Sequence, residues 1–200
     1  MPHVGLKGPI QVLPGDGEAC YWGPVFSVEE SRVALARLLE EVPWKRETVV
    51  LFGREHVLAR KVSWHGEAGC DYAYAGRRKA ALPWTECLKE VKARVEDLSG
   101  VRFNSCLLNL YHSGAEGMGW HSDDEPELGA QPVIASVSLG AERRFLFRHR
   151  VDGSTVEVKL ENGSLLVMRG TCQQHWKHCL PKALRIHEQR INLTFRKVGG

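Results

Sequence analysis

The chain contains no run of 18 apolar residues, no internal repeat and no low-complexity stretch. A membrane-spanning helix needs about 20 consecutive apolar residues, so no membrane span is expected. The opening Met-Pro-His-Val-Gly-Leu-Lys-Gly has no charged segment leading into an apolar one, so secretion is not expected either. An intracellular location follows as the expectation, in the cytoplasm, or in the nucleus of a eukaryote. Cysteine is present without a pattern: Cys20, Cys70, Cys87, Cys106, Cys172 and Cys179 form no CxxC pair and no disulfide-framework spacing. Six reduced thiols packed as small hydrophobes are expected. Charge of neither sign dominates, with 27 Lys and Arg against 24 Asp and Glu. A nucleic-acid footprint therefore has to be a local cluster.

What is present fits one folded domain. Two hundred residues, 43% of them hydrophobic and 26% charged, exclude disorder for most of the chain. Residues 1–20, rich in Gly and Pro, read as a poorly structured arm ahead of a domain spanning 21–200. Ser27-Val-Glu-Glu30 is a capping box, opening a helix to about Leu39 with Val28, Leu35, Leu38 and Leu39 on one stripe and Pro43 as its stop. A second helix, about Pro83 to Leu98, carries Leu88, Val91, Val95 and Leu98 and ends at Gly100. Strand-like runs lie at 48–52, 56–62 and 71–74, then at 103–111, 133–139, 143–148, 155–160, 164–168 and 189–197. Helices and strands are segregated, which favours two helices against a β-sandwich or jelly roll over a doubly wound fold.

Three features carry chemistry. His121-Ser-Asp123 places an imidazole and a carboxylate on one side of an extended backbone. Cys172-Gln-Gln-His175-Trp-Lys-His178-Cys179 offers a third ligand. Two His and one carboxylate would form the facial triad of non-haem iron oxygenases. Alternatively, Cys172, His175, His178 and Cys179 would hold structural zinc in a non-catalytic nucleic-acid-binding module. Finally, Arg190, Asn192, Thr194 and Arg196 alternate with Ile191, Leu193 and Phe195. Two guanidiniums on one strand face suit a dicarboxylate, although an edge strand with a wet face would read the same way.

Taken together, Asn109-Leu-Tyr111, His121-Ser-Asp-Asp-Glu-Pro126, Ile134-Ala-Ser-Val-Ser-Leu-Gly140, Trp176-Lys-His178-Cys-Leu-Pro181 and Arg190-Ile-Asn-Leu-Thr-Phe-Arg196 occur in a telling order. The chain resembles the AlkB family of Fe(II)- and 2-oxoglutarate-dependent dioxygenases, in particular its nucleic-acid demethylase branch. The resemblance runs from about residue 25 to 198. It implies a mainly β fold with flanking helices: a double-stranded β-helix (jelly-roll) core over about 101–198, with an N-terminal nucleotide-recognition lid over about 45–80.

It also implies that His121, Asp123 and His178, rather than His175, bind Fe(II). Arg190 would pair with the remote carboxylate of 2-oxoglutarate, aided by Asn109, Tyr111, Asn192, Thr194 and Arg196. In the lid, Phe52 would wedge into the base stack. Tyr72 and Tyr74, with Trp64 as a further wall, would line the base pocket, while Asp124 and Glu125 would read the base. Arg54, Arg60 and Lys61, or Arg77, Arg78 and Lys79, would hold phosphates.

The implied reaction uses O2 to demethylate 1-methyladenine or 3-methylcytosine in DNA, releasing succinate, CO2 and formaldehyde. RNA, tRNA or protein stand as alternative substrates, and a monomer is expected. After His178 the charges are spread out over Lys182-Ala-Leu-Arg-Ile-His187, unlike the tight basic cluster of the duplex-repair branch, so strand preference stays open.

Overall fold

The computed structural model describes residues 8–51, 54–70, 72–74 and 77–199, and side chains for these apart from those within 49–56 and 71–79. The elements begin with β1 (Ile10–Gln11), β2 (Glu18–Pro24) and α1 (Val28–Glu41). A hairpin of β3 (Lys45–Leu51) and β4 (Arg54–Gly66) leads to a ribbon of β5 (Tyr72–Tyr74) and β6 (Arg77–Lys79), then to α2 (Glu86–Ser99). The rest is β7 (Ser105–Tyr111), β8 (Met118–His121), β9 (Ile134–Gly140), β10 (Arg143–His149), β11 (Thr155–Leu160), β12 (Ser164–Arg169), a single turn α3 (Cys172–His175), β13 (Trp176–Leu180) and β14 (Arg190–Arg196).

Among the described residues, one antiparallel sheet runs β1-β2-β12-β9-β14-β7-β4-β3 and a second runs β11-β10-β13-β8. They face each other as a jelly roll, as expected. The helices cover the outer face of the large sheet. There Leu38 of α1 and Leu88, Val91 and Val95 of α2 meet Leu108, Val137, Val167, Ile191, Leu193 and Phe195. The inner face, one residue out of phase, contributes Ile134, Leu166 and Met168 to a second cluster with Phe147, Leu160 and Trp176 of the small sheet. β12 is thus buried on both faces, which explains its continuous apolar run.

Local chemistry sets the helix ends. The Ser27 hydroxyl accepts from the Glu30 N–H while the Glu30 carboxylate accepts from the Ser27 N–H, closing the capping box. α2 starts one turn later than expected, because the Thr85 hydroxyl caps it, and ends at Gly100 in the left-handed region (φ 69°). Val28 does not join the stripe. It is 79% exposed, in the first turn of α1, where the buried face is made by Ser31, Ala34 and Leu38.

The N-terminal arm is also a correction. From residue 10 it is part of the large sheet: β2 pairs with β12, and Leu13 and Ala19 are buried. The hairpin expected as a lid continues the same sheet, since β4 pairs with β7 only over Lys61–Gly66. Its far half, Thr48–Leu51 against Arg54–Val57, projects beyond that pairing. All six cysteines are free thiols, five of them buried. No helix among the described residues is long and apolar enough to cross a membrane.

Phe195 anchors the apolar side of β14, stacked on Trp84 at 6.3 Å and tilted against Phe103 at 6.1 Å. Phe195→Ala should cost about 3–5 kcal/mol through the cavity it leaves. A thermal melt should show Tm lower by about 10 °C. An unchanged Tm would contradict this packing.

Candidate metal and co-substrate centre

Register decides which side chains meet. On β14, Arg190 lies opposite Tyr111 of β7, Asn192 opposite Asn109, and Thr194 opposite Leu107. On its other side Asn192 faces Ser138 and Thr194 faces Ser136 of β9. Across the gap, β13 pairs His178 with His121 of β8. Asn109, Tyr111, His121, Asp123, His178, Arg190, Asn192, Thr194 and Arg196 all line one narrow cavity of about 50 Å³ between the sheets.

One ligand atom from each of His121, Asp123 and His178 lies within 4.8 Å of the others. The imidazole rings of His121 and His178 are edge-on at 4.3 Å, and His178 Nε2 is 3.6 Å from Asp123 Oδ2. His121 Nδ1–H donates to the Gly119 carbonyl at 2.9 Å, leaving Nε2 to bind. Burial, reinforced by His121, pushes His178 down to about 3, so it is neutral at pH 7. Burial alone would raise the Asp123 carboxyl, but Arg196, His178 and His121 outweigh it and hold it at about 2. The set therefore presents two imidazoles and one carboxylate, the donor types of an iron or zinc site.

His175, by contrast, stands apart from this cluster. The rival zinc set does not assemble, because no cysteine belongs to either three-ligand cluster among the described residues. Burial, with some help from Asp123, also pushes the Cys172 thiol up to about 12.

At the far end, Arg190 is 2% exposed. Its Nη2 donates to Ser138 Oγ at 2.9 Å, and its guanidinium carbon lies 5.4 Å from the Tyr111 ring centre. Its Nε has no partner, and no carboxylate among the described residues pairs with it. Burial pulls it down to about 10, still protonated at pH 7. A buried cation without a counter-ion is a site for an anion. Arg196 is occupied differently: it binds Asp123 Oδ1 at 2.5 Å, which orients the carboxylate of the metal set. Asn192 donates to Ser136 Oγ and accepts from Thr194 Oγ1.

Arg60 is 5% exposed, and its Nε donates to Asn109 Oδ1 at 2.9 Å, which sets it against the cavity wall. Asp124 pairs with Arg150 at 3.2 Å and Glu125 precedes the 3-10 turn Pro126–Leu128; neither lines the cavity. Trp64 lines a separate cavity of about 330 Å³ beside Arg60. Phe52 lies outside the described residues, and the side chains of Tyr72, Tyr74, Arg54, Arg77, Arg78 and Lys79 lie outside the described side chains.

Two supporting residues escaped sequence reasoning. Gln173 is buried, and its Oε1 accepts from the Asp123 N–H at 2.9 Å. Arg143 donates to the Glu116 and Pro181 carbonyls, tying the loop before β8 to the end of β13. One Gln of a Gln-Gln pair and one Arg of an Arg-Arg pair carry no sequence signal for these roles.

The model of the 2OG-Fe(II) oxygenase superfamily matches residues 19–196, and the chain belongs to that family. It is a dioxygenase fold whose cofactors are Fe(II), 2-oxoglutarate and O2, as the AlkB resemblance implied. The chain is 38% identical over 213 residues to the mouse DNA oxidative demethylase ALKBH2, covering 98% of this chain and 89% of that protein. To human alpha-ketoglutarate-dependent dioxygenase alkB homolog 3 it is 36% identical over 194 residues, covering 92% of this chain and 67% of that one. Among solved structures, that of OsALKBH1 matches with a TM-score of 0.67 at 18% identity, covering 94% of this chain and 100% of that one.

If Arg190 is a charge awaiting an anion, it costs stability in the empty protein. Arg190→Met should leave Tm equal to or above wild type when no co-substrate is present. A fall of more than about 4 °C would mean that Ser138 and Tyr111 already satisfy the guanidinium.

Proposed function

We propose that this chain is an oxidative demethylase of N-alkylated nucleobases in DNA, with 1-methyladenine and 3-methylcytosine as its lesions. The observation that carries the proposal is the pairing of a His-Asp-His cluster with the uncompensated Arg190 in one buried cavity. The name of the mouse relative, DNA oxidative demethylase, supports the substrate class.

His121, Asp123 and His178 are assigned to Fe(II), and Arg190 to the remote carboxylate of 2-oxoglutarate. When bound, iron and 2-oxoglutarate supply with O2 the oxidation that turns an N-methyl group into a hydroxymethyl group, which leaves as formaldehyde. The protein's share is placement. Arg196 and Gln173 fix the Asp123 carboxylate and backbone, so that Oδ2 faces His178. The Gly119 carbonyl sets the His121 tautomer. Phe145, whose ring stacks on His178 at 5.3 Å, excludes water from that imidazole. Asn109, Tyr111, Asn192 and Thr194 line the co-substrate's path to Arg190.

The projecting β3–β4 hairpin and the β5–β6 ribbon are assigned to nucleic acid, with Phe52, Tyr72 and Tyr74 as the base-contacting residues. Asp124 and Glu125 remain proposed readers of the base, with Asp124 released from Arg150 to do so. The domain is read as 21–200, extended by β1.

The test is aerobic incubation with Fe(II), 2-oxoglutarate and oligonucleotides carrying either lesion, with formaldehyde and restored base measured. Wild type should turn over. His178→Ala should be inactive, while His175→Ala should stay active. Arg190→Met should raise KM for 2-oxoglutarate by about 100-fold, the loss of one buried charge pair. Turnover on RNA or protein without any on DNA would overturn the substrate assignment. Activity in His178→Ala would overturn the ligand set.

A further inference from the structure

A second cluster of metal-type donors lies outside this centre. Asp16, His149 and His175 each offer a ligand atom, and these atoms lie within 4.8 Å of one another. They come from three separate places: the turn between β1 and β2, the last residue of β10 and the last residue of α3. None is shared with the His121 cluster.

His149 is the informative member. It is 9% exposed, packed on Trp176 at 4.9 Å, and opposite Trp176 in the β10–β13 register. Its Nδ1–H donates to Asp152 Oδ1 at 3.0 Å. That oxygen also accepts from the Ser154 N–H at 2.8 Å, which holds the carboxylate in place. A proton fixed on Nδ1 leaves a lone pair on Nε2. Carboxylate–imidazole pairs of this kind orient histidine ligands in metal sites. Nε2 is buried and makes no hydrogen bond, yet Asp16 Oδ2 stands 3.3 Å away. A lone pair and a carboxylate oxygen at that distance repel unless a proton or a metal cation lies between them. The His175 ring lies beside that of His149 at 6.3 Å, inclined by only 17°.

The backbone holds Asp16 in place at a cost. It is the one non-glycine residue with positive φ (54°) among the described residues. The flanking glycines press the turn onto the small sheet. The Gly15 carbonyl accepts from Trp176 Nε1–H at 3.1 Å, and a Cβ on Gly17 would fall 2.5 Å from Cys172 Cα. The carboxylate itself is 62% exposed, which leaves an entry path from solvent.

We infer that Asp16, His149 and His175 form a second divalent-metal site of the zinc type, with two imidazole nitrogens, one carboxylate oxygen and a fourth position for water. A bound ion would tie the N-terminal turn to β10 and to the helical turn leading into β13, the strand that carries His178.

The test is a Zn²⁺ titration of chelator-stripped full-length protein by calorimetry, with bound metal counted after gel filtration. Wild type should hold two equivalents at micromolar Zn²⁺. Asp16→Asn should hold one, and it is a clean variant, because Asn tolerates this backbone and the side chain is exposed. His175→Ala should also hold one. Both should keep iron-dependent turnover, so failure here is distinct from failure of the demethylase reading. Excess Zn²⁺ should raise the Tm of His121→Ala, which retains the second site, and leave unchanged the Tm of the protein carrying both His121→Ala and Asp16→Asn. One equivalent in wild type, or two in both single variants, would overturn the site and leave His149 as an imidazolium bridging two aspartates.

Discussion

The buried ion pair between Arg196 and Asp123 sets the terms on which the rest of the site is built. Both groups are almost fully excluded from water and they come from elements 73 residues apart in sequence. Removing either partner would strand the other, at a cost of about 3–5 kcal/mol. The pair therefore locks the loop after β8 to the end of β14 and fixes which carboxylate oxygen is turned toward the histidines. With Arg196 committed to Asp123, the second guanidinium on the same strand face has no carboxylate partner among the described residues. On the proposed reading, that asymmetry divides one polar row into a metal-orienting end and an anion-receiving end.

β14 can do this because its two faces have different duties. Ile191, Leu193 and Phe195 are fully buried against the helices, so the strand cannot slip without exposing them. The core thereby holds the polar face in register with Tyr111 and Asn109 on one side and Ser136 and Ser138 on the other. Across the cavity, one pairing of His178 with His121 brings together ligands from strands that are 57 residues apart. Precision for the two histidines is thus supplied by a backbone ladder of short strands, while Asp123, in the loop after β8, is held by Arg196 and Gln173.

What the sequence made legible follows the strength of local patterns. The strict alternation of Arg190–Arg196 showed both faces of β14 before any fold was known, and the Ser27–Glu30 box and Gly100 marked helix ends. Strands β8 and β13 were missed because four and five residues, interrupted by Gly119 or preceded by a helical turn, carry too little periodicity. The arm around Leu13 and Ala19 looked unstructured because its Gly and Pro residues serve turns, while its strand is held by a distant partner, β12. His175 and His178 are equally plausible from spacing, and only the family resemblance favoured the second; the register with His121 is a tertiary fact. The burial of Arg60 is likewise a tertiary fact. A charged residue reads as solvent-facing until a buried acceptor such as Asn109 is found opposite.

We propose that Arg190 and the His-Asp-His cluster are two ends of one co-substrate site. This is tested most directly by a crystal structure prepared without oxygen in the presence of Fe(II) and 2-oxoglutarate. One metal ion should be held by His121, His178 and a single Asp123 oxygen, with the far carboxylate of 2-oxoglutarate on the Arg190 guanidinium and Arg196 still on Asp123. A co-substrate carboxylate seated on Arg196, or a metal ion bound through His175 in place of His178, would contradict it.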